Sequence, residues 1–259
     1  MAIPRSEPFA DRACPLGACD GSGWVLGPED IARPCECREG RLRKRRSKGV
    51  ASTIPPKFRG VSFDRPPVSD MARDLETKGA VARVRGFVDS LDENLAAGRG
   101  TWFMGDIGTG KTTLAMLISK TAIERGHSVA IYSMPKLLSR IRRTYEAEPG
   151  GDSYSQFFQR LVSVDLLHLD DLGAERQTDW VIEQLYSIVN ERYEAERSIV
   201  YTANAKQIEP AKEGDAELEV EKQIGRRTFS RLVEMCGDPV VIFGSDRRSS
   251  TDLPASSAA

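Results

Sequence analysis

The segment GDIGTGKT, residues 105–112, constrains this chain more than any other feature of its sequence. It fits the pattern G-x-x-x-x-G-K-[ST], in which glycines let successive backbone N–H groups point inward at phosphate oxygens. Residues 101–104 predict a strand before the loop, and residues 113–118 predict a helix after it, whose N-terminal end attracts anions. The alternative is a glycine-rich turn with a solvated lysine, a chance match on the order of one in a hundred. The chain is therefore predicted to bind a nucleoside triphosphate.

Two residues at the end of the loop have predicted roles in the chemistry. Lys111 is expected to contact the β- and γ-phosphates, and the hydroxyl of Thr112 to complete the shell of a Mg²⁺ ion. The residues predicted to bind the nucleotide are Gly105, Asp106, Ile107, Gly108, Thr109, Gly110, Lys111, Thr112 and Thr113.

A second apolar strand, residues 166–169, ends in two carboxylates, Asp170 and Asp171. Asp170 is predicted to hold Mg²⁺ together with Thr112, and Asp171 to polarise the attacking water. A solvated acidic turn is the alternative. Asp171 is shorter than the glutamate more usual at this place, which predicts a closer water or slow intrinsic hydrolysis. Asn204, at the end of the next strand candidate, is predicted to contact the γ-phosphate, although an asparagine in such a place is usually a turn residue.

Short apolar runs separated by helical periodicity predict an α/β fold with a parallel sheet that is buried on both faces. The strand candidates are Trp102–Met104, Val129–Tyr132, Leu166–Leu169, Ile199–Thr202 and Val240–Phe243. The predicted organisation is a cysteine-containing module (residues 1–40), a basic linker (41–60), the α/β domain (61–248) and a disordered tail (249–259).

The charge distribution is uneven in this 259-residue chain of net charge −1. Residues 1–60 carry a net charge of +5 (12 Lys/Arg, 7 Asp/Glu), and the remainder carries −6 (25 against 31). The run 38–48 contains seven Lys or Arg residues. This run favours contact with nucleic acid or an acidic protein, and an ordinary solvated helix equally. No apolar run approaches the roughly 18 residues that span a bilayer, and no signal-peptide core is present, so a cytoplasmic protein without a membrane partner is expected.

Four of the five cysteines form two pairs, Cys14 with Cys19 and Cys35 with Cys37. Four thiolates supplied by two turns suit a structural zinc ion, although these spacings differ from the common C-x₂-C pair. Two disulfides are the alternative, which a cytoplasmic chain disfavours. Free structural cysteines are a third, and a segment of this size cannot build a core alone.

Two helical segments carry exposed cations. The helix predicted over 135–146 mixes cations with an aromatic ring, as single-stranded DNA channels do, and it also buries an apolar face. Its residues with these properties are Lys136, Arg140, Arg142, Arg143 and Tyr145. Arg227 and Arg231 lie four residues apart and share a helix face. They suit either the nucleotide of a neighbouring subunit or pairing with nearby acidic residues.

The order of GDIGTGKT, LLHLDDLGAE, TAN and GRRTFSRLVEMC, closing on GSDRR at 244–248, resembles the AAA+ ATPases of the DnaC/DnaI helicase-loader family over residues 50–248. The resemblance implies that Asn204 is sensor 1 and that Arg231 is the arginine finger, with Arg227 as its alternate. It also implies that Arg248 is the sensor-2 arginine, with Arg247 as the close competitor. It further implies ATP as the nucleotide, no helical lid domain, and an N-terminal zinc module that contacts the replicative helicase. Residues 206–222 depart from the family in being unusually acidic.

The sequence thus predicts an ATPase that binds a hexameric, DnaB-type replicative helicase and single-stranded DNA, and that self-associates through its ATP interface. The rival hypothesis is an IstB-type transposition ATPase, which binds duplex DNA and a transposase. A third is a nucleotide-controlled adaptor with negligible hydrolysis.

Overall fold

The computed structural model describes residues 14–27, 31–40, 42, 53–145, 153–172, 178–204, 215–244 and 246–247, with only the backbone of 215–219. Arg248, most of the basic run 38–48, much of the acidic segment 206–222 and the tail 249–259 lie outside the described residues.

The N-terminal part contains a small antiparallel hairpin of β1 (Trp24–Leu26) and β2 (Ala32–Pro34), followed by helical backbone at residues 37–40. A 3₁₀ turn (Pro56–Phe58) leads into α1 (Val68–Met71), α2 (Lys78–Asp89) and α3 (Leu91–Ala96). The next elements are β3 (Thr101–Gly105), α4 (Lys111–Glu124), β4 (Val129–Ser133), α5 (Met134–Tyr145) and α6 (Tyr154–Ser163). The remaining elements are β5 (Leu166–Leu172), α7 (Asp179–Glu194), β6 (Ser198–Asn204), α8 (Asp215–Ile224), α9 (Arg226–Cys236) and β7 (Val240–Val241).

The larger sheet has five parallel strands in the order β4-β5-β6-β3-β7. All five predicted strands are present. The last is shorter than predicted, because only Val240 and Val241 pair with β3, whereas β5 continues through both aspartates to Leu172. Because parallel strands end at the same edge, this order brings the ends of β3, β5 and β6 together.

The sheet is buried on both faces, as its apolar runs predict. Trp102 and Met104 face one core, which α5, α6, α7, α8 and α9 cover. Phe103 faces the other core, which α1, α2, α3 and α4 cover. Side chains alternate between the faces of a strand, so consecutive residues of β3 contribute to different cores.

The second core extends into the segment that precedes residue 61. Phe58 is buried in this core, and Ile54 packs against it. Residues assigned to the basic linker by composition therefore belong in part to the packing of the α/β domain. Among the described helices, none combines the length and the apolar character needed to cross a membrane.

Candidate functional site

The loop between β3 and α4 has a positive φ at three glycines, Gly105, Gly108 and Gly110. Gly105 has φ 139°, and a Cβ there would lie 1.9 Å from the carbonyl oxygen of Ile242. Gly110 caps α4 with φ 106°, where a Cβ would contact the Met71 side chain at 2.8 Å. A non-glycine residue is strained at such φ values. The loop is therefore held in the bend that the motif predicts.

The Lys111 side chain lies inside this loop. It is buried, and its Nζ donates to the carbonyl oxygens of Gly105 at 3.0 Å and Asp106 at 2.5 Å. Thr109 Oγ1 donates to the same Asp106 carbonyl at 2.9 Å. A buried ammonium group at the N-terminus of the 14-residue α4 makes this end of the sheet suited to phosphate.

A cleft of about 450 Å³ opens at the loop, and most of the predicted site residues line it. The predicted residues that line it are Ile107, Gly108, Gly110, Lys111, Thr112, Thr113, Asp170, Asp171 and Asn204. Gly105, Asp106 and Thr109 do not line it. Another part of the wall is formed by Lys57, Phe58, Pro67 and Met71, which no motif marks in the sequence.

The two aspartates of β5 lie where a divalent cation and the phosphates would meet. Thr112 Oγ1 donates to Asp170 Oδ1 at 2.9 Å, so the end of β5 contacts the start of α4. Asn204 Nδ2 donates to Asp171 Oδ1 at 3.2 Å. Hydroxyl and carboxylate oxygens are ligands that Mg²⁺ prefers. The donor set of Thr112 and Asp170 therefore fits the predicted magnesium site.

His168 belongs to the core beneath this site. It is fully buried, its Nδ1 lies 2.8 Å from Ser119 Oγ, and burial lowers its pKa to about 3. The imidazole is therefore neutral at physiological pH.

Arg247 lines the cleft, whereas Arg248 lies outside the described residues. The Arg247 guanidinium donates to Asp74 and, at 3.4 Å, to Thr77 Oγ1. Its backbone N–H donates to the Gly108 carbonyl at 3.2 Å. The backbone N–H of Glu76 and then Arg247 hold the pKa of Asp74 below its usual value. The structure thus places the close competitor for the sensor-2 role at the cleft.

Arg227 and Arg231 lie on α9 and do not line the cleft. The Arg231 guanidinium sits over the rings of Tyr186 and Tyr193, at 5.1 and 5.6 Å from their centroids. Its Nη1 also donates to the Arg227 carbonyl at 3.3 Å. The sequence does not predict these cation–π contacts, which give Arg231 a role within its own chain. The side chain of Arg227 is exposed.

The four N-terminal cysteines converge on one point. Their Sγ atoms all lie within 4.8 Å of one another, with Cys14 to Cys35 at 3.8 Å and Cys19 to Cys37 at 3.6 Å. A tetrahedral site with Zn–S bonds of about 2.3 Å requires S–S separations of about 3.8 Å. None of these four cysteines forms a disulfide. Burial raises the pKa of Cys14, but the backbone N–H groups of Leu16, Cys19 and Ala18 together outweigh it and lower the pKa to about 6. The donor set therefore fits zinc.

The basic helix α5 exposes Lys136, Arg142 and Arg143, leaves Arg140 partly buried, and buries its apolar residues, as predicted. Leu137, Leu138 and Ile141 are buried, while Tyr145 is 56% exposed. The Tyr145 ring stacks on that of Tyr154, with centroids 5.2 Å apart. The exposed face of this helix therefore combines positive charge with a stacked aromatic pair.

A model of the family described as IstB-like ATP binding protein matches residues 92–222, just over half of the 259-residue chain. The chain belongs to this family. The residues of this chain that the family model matches include the phosphate loop, both aspartates of β5 and Asn204.

Two curated relatives of the IstB-like protein are helicase loaders. The replicative helicase loader DnaC of Escherichia coli (strain K12) is 28% identical over 198 residues, which are 75% of this chain and 72% of that protein. The replicative helicase loader DnaI of Bacillus subtilis (strain 168) is 23% identical over 168 residues, or 65% of this chain and 51% of that protein. The crystal structure of the DnaC helicase loader has a TM-score of 0.61 and 24% identity, covering 73% of this chain and 99% of that chain. The predicted AAA+ P-loop fold and the resemblance to the DnaC/DnaI loaders are confirmed.

Proposed function

We propose that this chain is an ATPase that loads a hexameric, DnaB-type replicative helicase onto single-stranded DNA at replication initiation. The observation that carries the ATPase part is the contact between Thr112 of the phosphate loop and Asp170 of β5, at 2.9 Å, beside the buried Lys111. Similarity to DnaC over 75% of the chain supports the loader part.

Each residue of the cleft has a role in the proposed hydrolysis. Lys111 and the loop N–H groups bind the β- and γ-phosphates, and Thr112 and Asp170 hold Mg²⁺. The metal supplies neutralisation of phosphate charge when bound. Asp171 polarises the attacking water, and Asn204, which contacts Asp171, positions the Asp171 carboxylate and contacts the γ-phosphate. Arg247 is the described residue best placed to contact the phosphates as the sensor-2 arginine.

Self-association completes the proposed site. Neither Arg227 nor Arg231 lines the cleft of its own chain, so each would act on the nucleotide of a neighbouring subunit. Arg231 is the proposed arginine finger by resemblance. To contact a phosphate in a neighbouring subunit, its guanidinium would leave the rings of Tyr186 and Tyr193. Arg227, which is exposed, is the alternate.

The cysteine module is the proposed helicase-binding part. It exposes a group of large apolar side chains on a scaffold that a zinc ion at Cys14, Cys19, Cys35 and Cys37 would hold together. The most exposed are Leu16 (57%), Leu26 (73%) and Ile31 (55%), with Trp24 at 41%. Exposed large apolar side chains suit a protein-binding surface where they adjoin one another.

Single-stranded DNA is the proposed nucleic-acid partner. The exposed cations of α5, Lys136, Arg142 and Arg143, would contact phosphates, and Tyr145 on Tyr154 offers a ring on which a base stacks. Duplex DNA does not expose base faces for such stacking, so this surface favours the loader over the transposition ATPase.

Three purified variants test the ATPase part. Lys111→Ala should lose binding of a fluorescent ATP analogue, whereas Asp171→Asn should bind it and release no phosphate, because only water polarisation is lost. Asp89→Asn, an exposed carboxylate of α2, is the matched control and should behave as wild type. Equal loss of nucleotide binding in Lys111→Ala and Asp171→Asn would contradict these roles. Absence of phosphate release by wild type with single-stranded DNA present would favour the adaptor.

A further inference from the structure

The strand β5 contains an irregularity at its two aspartates. In the pairing of β5 with β6, Leu169 lies opposite Tyr201 and Leu172 lies opposite Ala203. Asp170 and Asp171 therefore share a single partner residue, Thr202, which is the arrangement of a β-bulge. Asp171 adopts φ 58°, in the left-handed region that non-glycine residues rarely occupy. The local backbone thus departs from the ladder at the point where the carboxylates leave the sheet.

The Thr202 side chain bridges this irregularity. It is fully buried, its Oγ1 accepts from the backbone N–H of Asp171 at 2.9 Å, and its Oγ1 donates to Asp170 Oδ1 at 2.8 Å. One hydroxyl has a single proton to donate and lone pairs to accept, so both bonds form at once. The Thr202 hydroxyl thus gives the Asp171 backbone N–H a partner at the irregularity, and in the same place it donates to the Asp170 carboxylate.

This bridge fixes the orientation of the Asp170 carboxylate. Oδ1 accepts from both Thr112 and Thr202, whereas Oδ2 has no hydrogen-bond partner among the residues that the structure describes. Asn204, two residues further along β6 on the same face, contacts Asp171. Thr202 does not line the cleft itself. Strand β6 therefore holds both aspartates, one through Thr202 and the other through Thr202 and Asn204.

We infer that Thr202 is a positioning residue for magnesium binding and hydrolysis, acting through the Asp170 carboxylate and the Asp171 backbone. The inference rests on the proposed nucleotide site and adds to it a role for Thr202, the first residue of the TAN segment, for which the sequence predicts no role. Loss of a residue that orients a metal ligand typically costs about 10–100-fold in metal affinity or activity. Thr202→Val keeps the shape of the side chain and removes only the hydroxyl.

The test separates magnesium dependence from nucleotide binding. A fluorescent ATP analogue is titrated in EDTA and then against rising Mg²⁺, and phosphate release is measured afterwards. In EDTA, Thr202→Val should bind the analogue with a Kd within about threefold of that of wild type. It should require a roughly tenfold higher Mg²⁺ concentration for Mg²⁺ to have the same effect on analogue binding. Its kcat should be lowered, and should change more than its KM. Thr202→Ser, which keeps the hydroxyl, should restore the wild-type magnesium dependence.

Thr101→Val is the matched control, because Thr101 is a buried threonine of the adjacent strand β3 that pairs with Val200. An unchanged magnesium dependence in Thr202→Val, or a defect in Thr202→Ser as large as in Thr202→Val, would overturn the inference. If Thr202→Val fails to fold, Thr202→Ala is measured against Thr202→Ser by the same titration and the same criteria apply. The magnesium titration remains decisive even if wild type releases no phosphate, an outcome that would count against the proposed hydrolysis alone.

Discussion

A buried arginine provides the sharpest test of how the sheet is held in place. Arg192, on α7, is fully buried, and its guanidinium donates to the carbonyl oxygens of five residues. These are Leu161, Val162, Val164, Asp165 and Ser198. The first two belong to the last turn of α6, whose carbonyls have no partner within the helix. The side chain therefore ties the end of α6 to the starts of β5 and β6.

The cost of replacing Arg192 by methionine follows from these contacts. Hydrogen bonds from a charged donor contribute roughly 1.5–3 kcal/mol each to the free energy of unfolding. Burial, with a smaller effect of Arg197, lowers the pKa of the guanidinium to about 9, so lost solvation of the charge offsets part of this stabilisation. Three of the five bonds are longer than 3.0 Å, so the lower part of the range applies. Arg192→Met should lower the free energy of unfolding by about 3–5 kcal/mol.

This loss in the free energy of unfolding should lower Tm by roughly 10 °C for a domain of this size. Thermal unfolding followed by far-ultraviolet circular dichroism measures the change in Tm. Arg197→Met is the matched control, because Arg197 contacts Asp165 at 3.1 Å with 30% of its side chain exposed. This pair is partly buried, with 10% of the Asp165 side chain exposed, and Asp165 keeps its hydrogen bonds from Ser128 in the variant, so Arg197→Met should cost less than Arg192→Met. A Tm of Arg192→Met within about 2 °C of wild type, or no lower than that of Arg197→Met, would refute the reasoning.

Two further predictions concern the metal and the subunit interface. Protein purified without chelators should contain about one zinc ion per chain, and metal analysis that finds no zinc would contradict this prediction. Cys14→Ser should lose the zinc while ATP binding persists, because the cysteine cluster and the nucleotide cleft share no residue. Arg231→Ala should bind ATP, but its rate of ATP hydrolysis should be lower by roughly 10³-fold or more. Mixing it with Lys111→Ala protein should restore part of the activity, since a mixed interface joins an intact cleft to an intact arginine finger. Full turnover by Arg231→Ala alone would exclude the trans-acting role.

The phosphate loop and the five strands were predictable because each depends on local sequence. Glycine at 105 and 110 is required by the backbone of its own loop, and the strands are apolar runs with clear ends. The meeting of Thr112 with Asp170 was predictable too, because parallel strands end at one edge of the sheet.

Other parts of the site depend on contacts that no local pattern encodes. Lys57 and Phe58 reach the cleft from a segment whose composition indicates a linker. The Thr202 bridge requires a bulge in β5, and a bulge depends on the register of two strands rather than on either sequence alone. Arg231 lies between two tyrosines because α7 and α9 pack together, which helical spacing within α9 does not indicate.

Transfer of a purified hexameric DnaB-type helicase to single-stranded DNA tests the central proposal most directly. The helicase and this protein are incubated together with immobilised single-stranded DNA, with and without ATP. The amount of each protein that stays bound is measured after washing. Wild type with ATP should leave helicase on the DNA, Asp171→Asn should leave both proteins bound together, and Lys111→Ala should deliver none. If wild type with ATP neither binds the helicase nor increases its retention on DNA, the loader function is contradicted.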